Sequence, residues 1–514
     1  MLDNVYGNNM YRSDNLKLAN FVKTDSEVPR SVAGAIAEQV KNERKQKGMN
    51  LVKNWDFYQG FQSKYFVRRI NEPEESYGFR KAKAVVENFA KLIVDTNTKF
   101  LYSRTDKIGR TFGDNKKTQD RLKHINDVVN IDKYQLDSKR EASIFGESIT
   151  RLVPTDEITG DIVAGNTATP STYPHPVHLD PQETYVLVDS LNKITAVVIE
   201  STYKDWVKDI EVATTELVVE DSRWFWEDDR LVKSELNTYS LDEEFVLQVN
   251  NDFRKDDITT TMVLQTKLNE ASSDIAFFME RHGRPQLVSE IDLSKVSFGD
   301  NKVWQLDNPD EDKKIIDKLF FLTWDGHMPE ALAFAKDLES QILKLSYVAM
   351  ISTGDISSTG QLRTGAALVT SYGPTIKLAQ ESKIIWAINE KKLNRAIMKL
   401  DAKLHGIAIE ERFPEYDFRM HFPHDAGVPG EELVSAEVDA MLLNSHAITF
   451  RELIRRTHSH FTPAQVEEYY QEIIGDSKAI ADALRVFESI QADSSGKPID
   501  SSSKKSSEQS SQKA

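Results

Sequence analysis

The densest grouping of side chains able to do chemistry is His421-Phe422-Pro423-His424-Asp425, followed at a distance by His458-Ser459-His460. A metal reading would need at least three donors converging at fixed spacing, and a strand-to-loop context does not bring His421 and His424 together with a third ligand. The pairs Glu243-Glu244 and Asp228-Asp229 could serve acid–base work, but they stand in an acidic stretch and read as a solvated face. The Gly/Ser/Thr-rich segment ISTGDISSTGQLR, 351–363, could cradle phosphate, yet neither a strand nor a P-loop lysine accompanies it. It reads as a connector or a protruding mobile loop. No G-x-x-x-x-G-K-[ST], strand-linked G-x-G-x-x-G, G-x-S-x-G or H-E-x-x-H occurs, so no nucleotide, nucleophile-elbow or zincin site is expected, nor any cofactor. Trp224 and Trp226 are expected in the core, because Glu227, Asp228 and Asp229 deny them the basic surround that base stacking needs.

The elements that must position these groups are mostly helical. The 514 residues are enough for about three domains. They carry no cysteine, which removes disulfides, thiol nucleophiles and Cys-ligated zinc and fits an intracellular or virion protein. The net charge of −16 argues against a protein that coats nucleic acid. Apolar runs such as Ile384–Ile388 are far too short for a membrane helix, and MLDNVYGNNMYRSDN lacks the pattern of a signal peptide.

Residues 1–50 read as a polar arm. Val85, Val86, Phe89, Leu92, Ile93, Thr96 and Phe100 predict one helix over 81–101, and a second is expected over 132–144 with Gly146 as its stop. Period-two runs at 184–189, 194–203, 215–220 and 223–228 predict an antiparallel sheet, with 189–192 as a hairpin connection. After Asp256 and Asp257 come two helices, 258–282 (Ile258, Met262, Leu268, Ile275, Phe278, Met279) and 329–350 (Leu332, Ala335, Leu338, Ile342, Leu345, Ala349). They are expected to pair antiparallel around a small insert with strand-like pieces at 302–306 and 319–324. A long helix over 365–404 should kink at Gly373-Pro374 and stop at His405-Gly406. A strand at 416–422 and helices near 431–444, 449–458 and 462–474 follow, Thr449 and Glu452 forming a capping box. The last segment, 491–514, has nine serines and three apolar residues and is expected to be disordered.

The order of these elements, with several strings, resembles the portal (connector) proteins of tailed double-stranded DNA bacteriophages, in the long-tailed branch. NWDFYQGFQ (54–62) is similar to the family's aromatic Tyr-Gly segment, and VVENFAKLIVDTNTKFL (85–101) to its Asn-x-x-x-x-Ile-Val-Asp helix through Asn88, Ile93, Val94 and Asp95. EASIFGESITRLV (141–153) resembles its Gly-Glu turn at Gly146 and Glu147, and SSDIAFFMERHGRPQL (272–287) the end of its first stem helix. RTGAALV (363–369) resembles the family's Ser-Gly-x-Ala-Leu-Lys lead-in to the long helix, with Thr364 in place of Ser and Val369 in place of Lys.

The resemblance implies an α+β, mainly helical fold in portal order. Residues 51–257 would be the wing with its antiparallel β structure, 258–282 and 329–350 the stem, and 283–328 a small α/β clip. A tunnel loop at 351–364, a kinked wing helix and strand at 365–424 and a helical crown at 425–490 would follow. It further implies a non-catalytic ring, typically of twelve copies, at one capsid vertex of the virion, assembled in the host cytoplasm. Its partners would be the terminase large subunit, head-completion or adaptor proteins and the major capsid and scaffolding proteins, with double-stranded DNA passing non-specifically and no membrane. Within the tunnel loop, Ser357, Ser358, Gln361 and Arg363 are the candidates to lie near DNA. Two alternatives stay open: a vertex scaffold that binds only protein, and a metal-dependent enzyme built on His421, His424 and Asp425. Charge is unevenly spread, with 205–257 at −10 and 365–404 at +4.

Overall fold

The computed structural model describes residues 50–102, 108–112, 116–163, 168–189, 193–205, 210–227, 230–251, 253–282, 286–289, 319–322, 328–353, 370–407, 418–422, 431–458 and 461–478. The arm, the tunnel-loop residues 354–363, most of the clip and the Ser-rich tail lie outside them. The architecture is mixed α and β with antiparallel sheets. The chain divides into two compact units between Ala436 and Glu437.

The first unit begins with helix α1, 50–59, which Gly60 ends in a left-handed conformation (φ 88°). α2 is Glu74–Ala82 and α3 Phe89–Leu101. The helix expected over 81–101 thus starts only at Phe89, after a non-helical segment that follows α2. Asn88 takes the N-cap position, its side chain accepting from the Lys91 N–H, so α3 starts at Phe89 and Val85 is 37% exposed. β1 (Gly109–Phe112), α4 (Lys116–Val129) and α5 (Ile131–Phe145) follow. Gly146 caps α5 in the left-handed conformation, as its position in the sequence implied.

Two sheets then form. β2 (Glu147–Asp156) and β3 (Thr172–Leu179) join β9 (Phe245–Val249) in the order β3-β2-β9. β4 (Thr184–Val188), β5 (Ile194–Asp205), β6 (Ile210–Val219), β7 (Ser222–Glu227) and β8 (Arg230–Leu236) make a five-stranded antiparallel meander. The period-two pattern sorts its two faces: Ala196, Val198, Leu217, Val219 and Trp224 form one cluster, while Val197 and Val218 pack with Ile149, Phe245 and Leu247 of the smaller sheet. Trp224 is fully buried and Trp226 packs beside it, as their strand positions predict.

Asp256 caps the next turn, its carboxylate accepting from the N–H groups of Ile258 and Thr259, and α6 runs Met262–His282. β10 (Gln286–Ser289) pairs antiparallel with β11 (Leu319–Leu322), and α7 (Met328–Leu345) returns. α6 and α7 pack antiparallel: Leu264 and Leu268 near the start of one meet Leu338, Ile342 and Leu343 near the end of the other, with Phe89 and Ile93 of α3. The expected apolar stripes are only half used, because Met279, Leu332 and Leu345 are 63%, 47% and 49% exposed.

α8 is a helix of 32 residues, Gly373–Leu404. The expected kink is a helix start: Thr370 and Ser371 are helical, Tyr372 is a turn, and Pro374 occupies the first turn of α8. Proline is tolerated there because its missing N–H would have no intrahelical acceptor. The helix stops at His405-Gly406 as expected. β12 (Phe418–His421) pairs with β1, a long-range contact that periodicity alone did not reveal. α9, Glu431–Asn444, spans the unit boundary.

In the second unit, α10 (Phe450–Thr457) is capped by Thr449, whose hydroxyl accepts from the Glu452 N–H, and a helix over 463–478 follows. The expected box is half formed, since Glu452 pairs with Arg455 and Arg456 instead of returning to Thr449. Thr462 and Gln465 make the reciprocal arrangement. Among the described residues, no helix is long and apolar enough to cross a membrane.

Candidate functional site

The long helix α8 positions most of the buried charge. Its apolar stripe, Trp386, Leu393, Ile397, Leu400 and Leu404, is interleaved with Asn389, Glu390, Asn394 and Asp401, all fully or almost fully buried. Each polar member has a partner on another element. Asn389 brackets Val249 of β9, donating to its carbonyl (2.7 Å) and accepting from its N–H (3.3 Å).

Glu390 accepts two bonds from the Arg110 guanidinium of β1 (2.9 and 3.0 Å) and one from the Tyr102 hydroxyl (3.0 Å). The third Arg110 nitrogen donates to Asp132 of α5 at 2.7 Å, and Trp386 Nε1 donates to the Tyr102 oxygen. Burial works to lower the Arg110 pKa, but Glu390 and Asp132 outweigh it and hold the guanidinium charged. Burial, with the Glu390 carboxylate, drives the Tyr102 phenol well above its ordinary value. One helical turn after Ile397, Asp401 accepts from Arg121 of α4 (2.8 Å), which also donates to the Thr172 carbonyl of β3 (3.0 Å). Lys399 and Lys403, on the same end of α8, reach Asp242 (2.7 Å) and Glu243 (2.9 Å).

A second clamp joins the two sheets. Arg151 of β2 donates to both oxygens of Glu216 on β6 (3.0 Å each) and to Glu244 (2.9 Å), and Arg223 of β7 also donates to Glu244. Glu243 and Glu244 are therefore not a solvated face: they are 8% and 3% exposed and fully engaged by cations. Paired guanidiniums make that burial tolerable, whereas a lone carboxylate there would be costly. These clusters are built to hold elements together, since each carboxylate already accepts from a fixed cation. An open polar cleft of about 380 Å³ beside the first clamp is bordered by Arg110, Gln119, Lys123, Asn126 and Asp132.

The strings that carry the resemblance meet in space. Asn88 donates to the Tyr58 carbonyl (2.8 Å), Tyr58 donates to Asp95 (3.1 Å), and Gln62 donates to Asn88 (3.2 Å). Asn269 of α6 also donates to Gln62, at 2.5 Å, so these residues seat the helical pair on α1 and α3.

Of the residues singled out from sequence, Ser357, Ser358, Gln361 and Arg363 lie outside the described residues, as do His424, Asp425, His460, Asp228 and Asp229. His421 is 5% exposed at the end of β12, and His458 stacks on Phe461 in the second unit. Among the described residues, no group of three or more His, Asp or Glu side chains is placed to hold a metal.

What reading by sequence missed is the clamp set. A signal existed: Glu390 and Asp401 sit in phase with the apolar stripe, where a solvated charge has no place. The other feature available for function is exposed apolar surface on the helices. Val263, Phe334, Ile384 and Ile388 are 73%, 55%, 68% and 53% exposed, besides Met279, Leu332 and Leu345. A comparison with models of known protein families and with curated proteins finds no match.

Proposed function

We propose that the chain is a portal protein, forming a closed ring at one capsid vertex through which double-stranded DNA is packaged and ejected. The observation that carries the reading is the returning pair α6 and α7, framing the antiparallel strands β10 and β11 and followed by the long helix α8. In this reading α6 and α7 are the stem and residues 283–328 the clip that docks the terminase large subunit and head-completion proteins. The sheets and α8 belong to the wing, the segment after 425 is the crown, and Ser357, Ser358, Gln361 and Arg363 lie near the DNA. The chain is non-catalytic and resides in the virion, meeting capsid and scaffolding proteins during assembly in the host cytoplasm.

Two features support it. The helical pair is anchored on α3 at one end and leaves apolar side chains exposed along its length, as expected of a subunit completed by its neighbours in a head-to-tail ring. The buried clamps use up their carboxylates in tying α8 to β1 and α4 and the two sheets to each other, which suits a load-bearing subunit better than a catalytic one. Negative-stain imaging of purified protein tests the reading: rings with an axial opening are expected, and compact particles without a channel would contradict it. Robust nuclease or ATPase activity of the same sample would also count against a non-catalytic conduit.

A further inference from the structure

We propose that Lys139 and Asn250 are the two halves of an intramolecular isopeptide bond, which the folded chain forms by itself with Asp257 as the proton relay. The bond concerns a single chain, so it stands whether or not the ring reading does.

Three elements deliver the three groups. Lys139 lies on α5, Asn250 follows β9, and Asp257 closes the turn that leads into α6. The Asn250 N–H donates to the Gly146 carbonyl (3.0 Å) and the Asp257 N–H to the Ser143 carbonyl (2.8 Å), so backbone bonds fix both residues to the end of α5. The Asn250 amide has one orientation that satisfies its neighbours. Its Nδ2 donates to the Lys255 carbonyl (3.0 Å) and to the Asp257 carboxylate (2.8 Å), both acceptors, which leaves Oδ1 to accept from the Lys139 Nζ. Lys139 is 2% and Asn250 6% exposed, and the Trp386 ring centre lies 5.5 Å from Nζ.

As a purely structural pair this arrangement is poor. The buried lysine gives its hydrogen bond to a neutral amide, while the carboxylate beside it accepts from the amides of Asn250 and Asn97 (3.1 Å). An ammonium buried without a close counter-ion is costly. Burial accordingly lowers the Lys139 pKa, opposed only in part by Asp257, and so favours the neutral amine, which is the nucleophilic form. The amide carbonyl is held against that amine, which replaces a slow bimolecular aminolysis by an intramolecular one.

The step balances within the chain. Nζ of the neutral amine attacks Cγ of Asn250; the Nζ–Cγ bond forms and the Cγ–Nδ2 bond breaks. One amine hydrogen stays on the new amide. Asp257 takes the other and passes it to Nδ2, which already donates to it. Ammonia leaves, Asp257 ends as it began, and no oxidant, reductant or co-reactant is needed. The product puts a neutral amide where a buried amine stood and ties α5 to the end of β9 across 111 positions of sequence. A link that closes so long a loop restricts the unfolded chain. Only the open chain keeps a titrating amine at Lys139.

Intact mass spectrometry of purified full-length protein under denaturing conditions tests the bond. The expected mass is that of the sequence less one ammonia. A tryptic digest should give a branched peptide joining Lys139 to Asn250, with no cleavage after Lys139. Lys139→Met and Asp257→Asn, each shown to fold by circular dichroism, are expected to keep the full sequence mass. The wild-type result decides the matter even if a variant fails to fold. Full sequence mass after prolonged incubation at neutral pH overturns the proposal, and so does loss of ammonia without the branched peptide, the mark of a succinimide. A folded Asp257→Asn chain that still yields the branched peptide overturns the role given to Asp257.

Discussion

The C-terminal half of α8 and the α6–α7 pair are both long helical segments of one unit, yet they solve burial in opposite ways. Residues 389–404 are enclosed on several sides, so even Glu390 and Asp401 are fully buried and matched to Arg110 and Arg121. The α6–α7 pair is buried where it meets α3 and exposed beyond, with Leu332 and Phe334 in solvent. One region is complete within a single chain. The other leaves up to about 2 kcal/mol of burial unrealised per large apolar side chain, which the proposed ring would recover. Under the ring proposal, stability of the fold and capacity for assembly would be located in different helices.

That division can be attacked most severely at Glu390. Glu390→Leu leaves the Arg110 guanidinium buried with only Asp132 and is expected to cost about 3–5 kcal/mol in chemical denaturation. Adding Arg110→Met should recover most of the loss; a double variant no better than the single would show that the clamp is not what orders this region. Gly146→Ala is next. A methyl group there meets the Arg254 carbonyl on backbone with φ 88°, and a loss of about 2–4 kcal/mol is expected.

In the open chain, Lys139 sharpens the inner region by pH. Its ammonium is fully buried against Asn250, and burial lowers its pKa from 10.5, partly opposed by Asp257. The unfolded chain therefore binds the extra proton in the window between the lowered value and 10.5, so this residue's contribution to stability rises with pH there. Lys139→Met should abolish that slope in denaturation series at stepped pH, and a slope left unchanged would contradict the assignment. The smallest effect on the fold belongs to the outer region. Leu332→Ser with Phe334→Ser should alter single-chain stability by less than about 0.5 kcal/mol yet reduce assembly in sedimentation. A large drop in melting temperature instead would mean those side chains already serve the single chain.

Periodicity made the elements legible where burial has one direction: the sheet, α5 with its Gly146 stop and α8 after Pro374 all follow patterns written in adjacent residues. It misplaced the start of α3, because Asn88 is a cap whose role depends on Tyr58 and Gln62, distant in sequence. It overread Met279, Leu332 and Leu345 as buried, since a stripe states what can be covered and not whether one chain covers it. Glu243 and Glu244 looked solvated because their partners, Arg151, Arg223 and Lys403, come from three other elements. The positive balance of the long helix is partly taken up within the chain: Lys399 and Lys403 pair with Asp242 and Glu243 of the acidic stretch.

The central claim, a closed ring completed by neighbouring copies, is tested most directly by the mass of the wild-type particle in solution. Mass photometry across a concentration series should give one dominant species many times the 58.5 kDa chain, at about 700 kDa for twelve copies closed by rotation. A single species of 58.5 kDa at every concentration would contradict it.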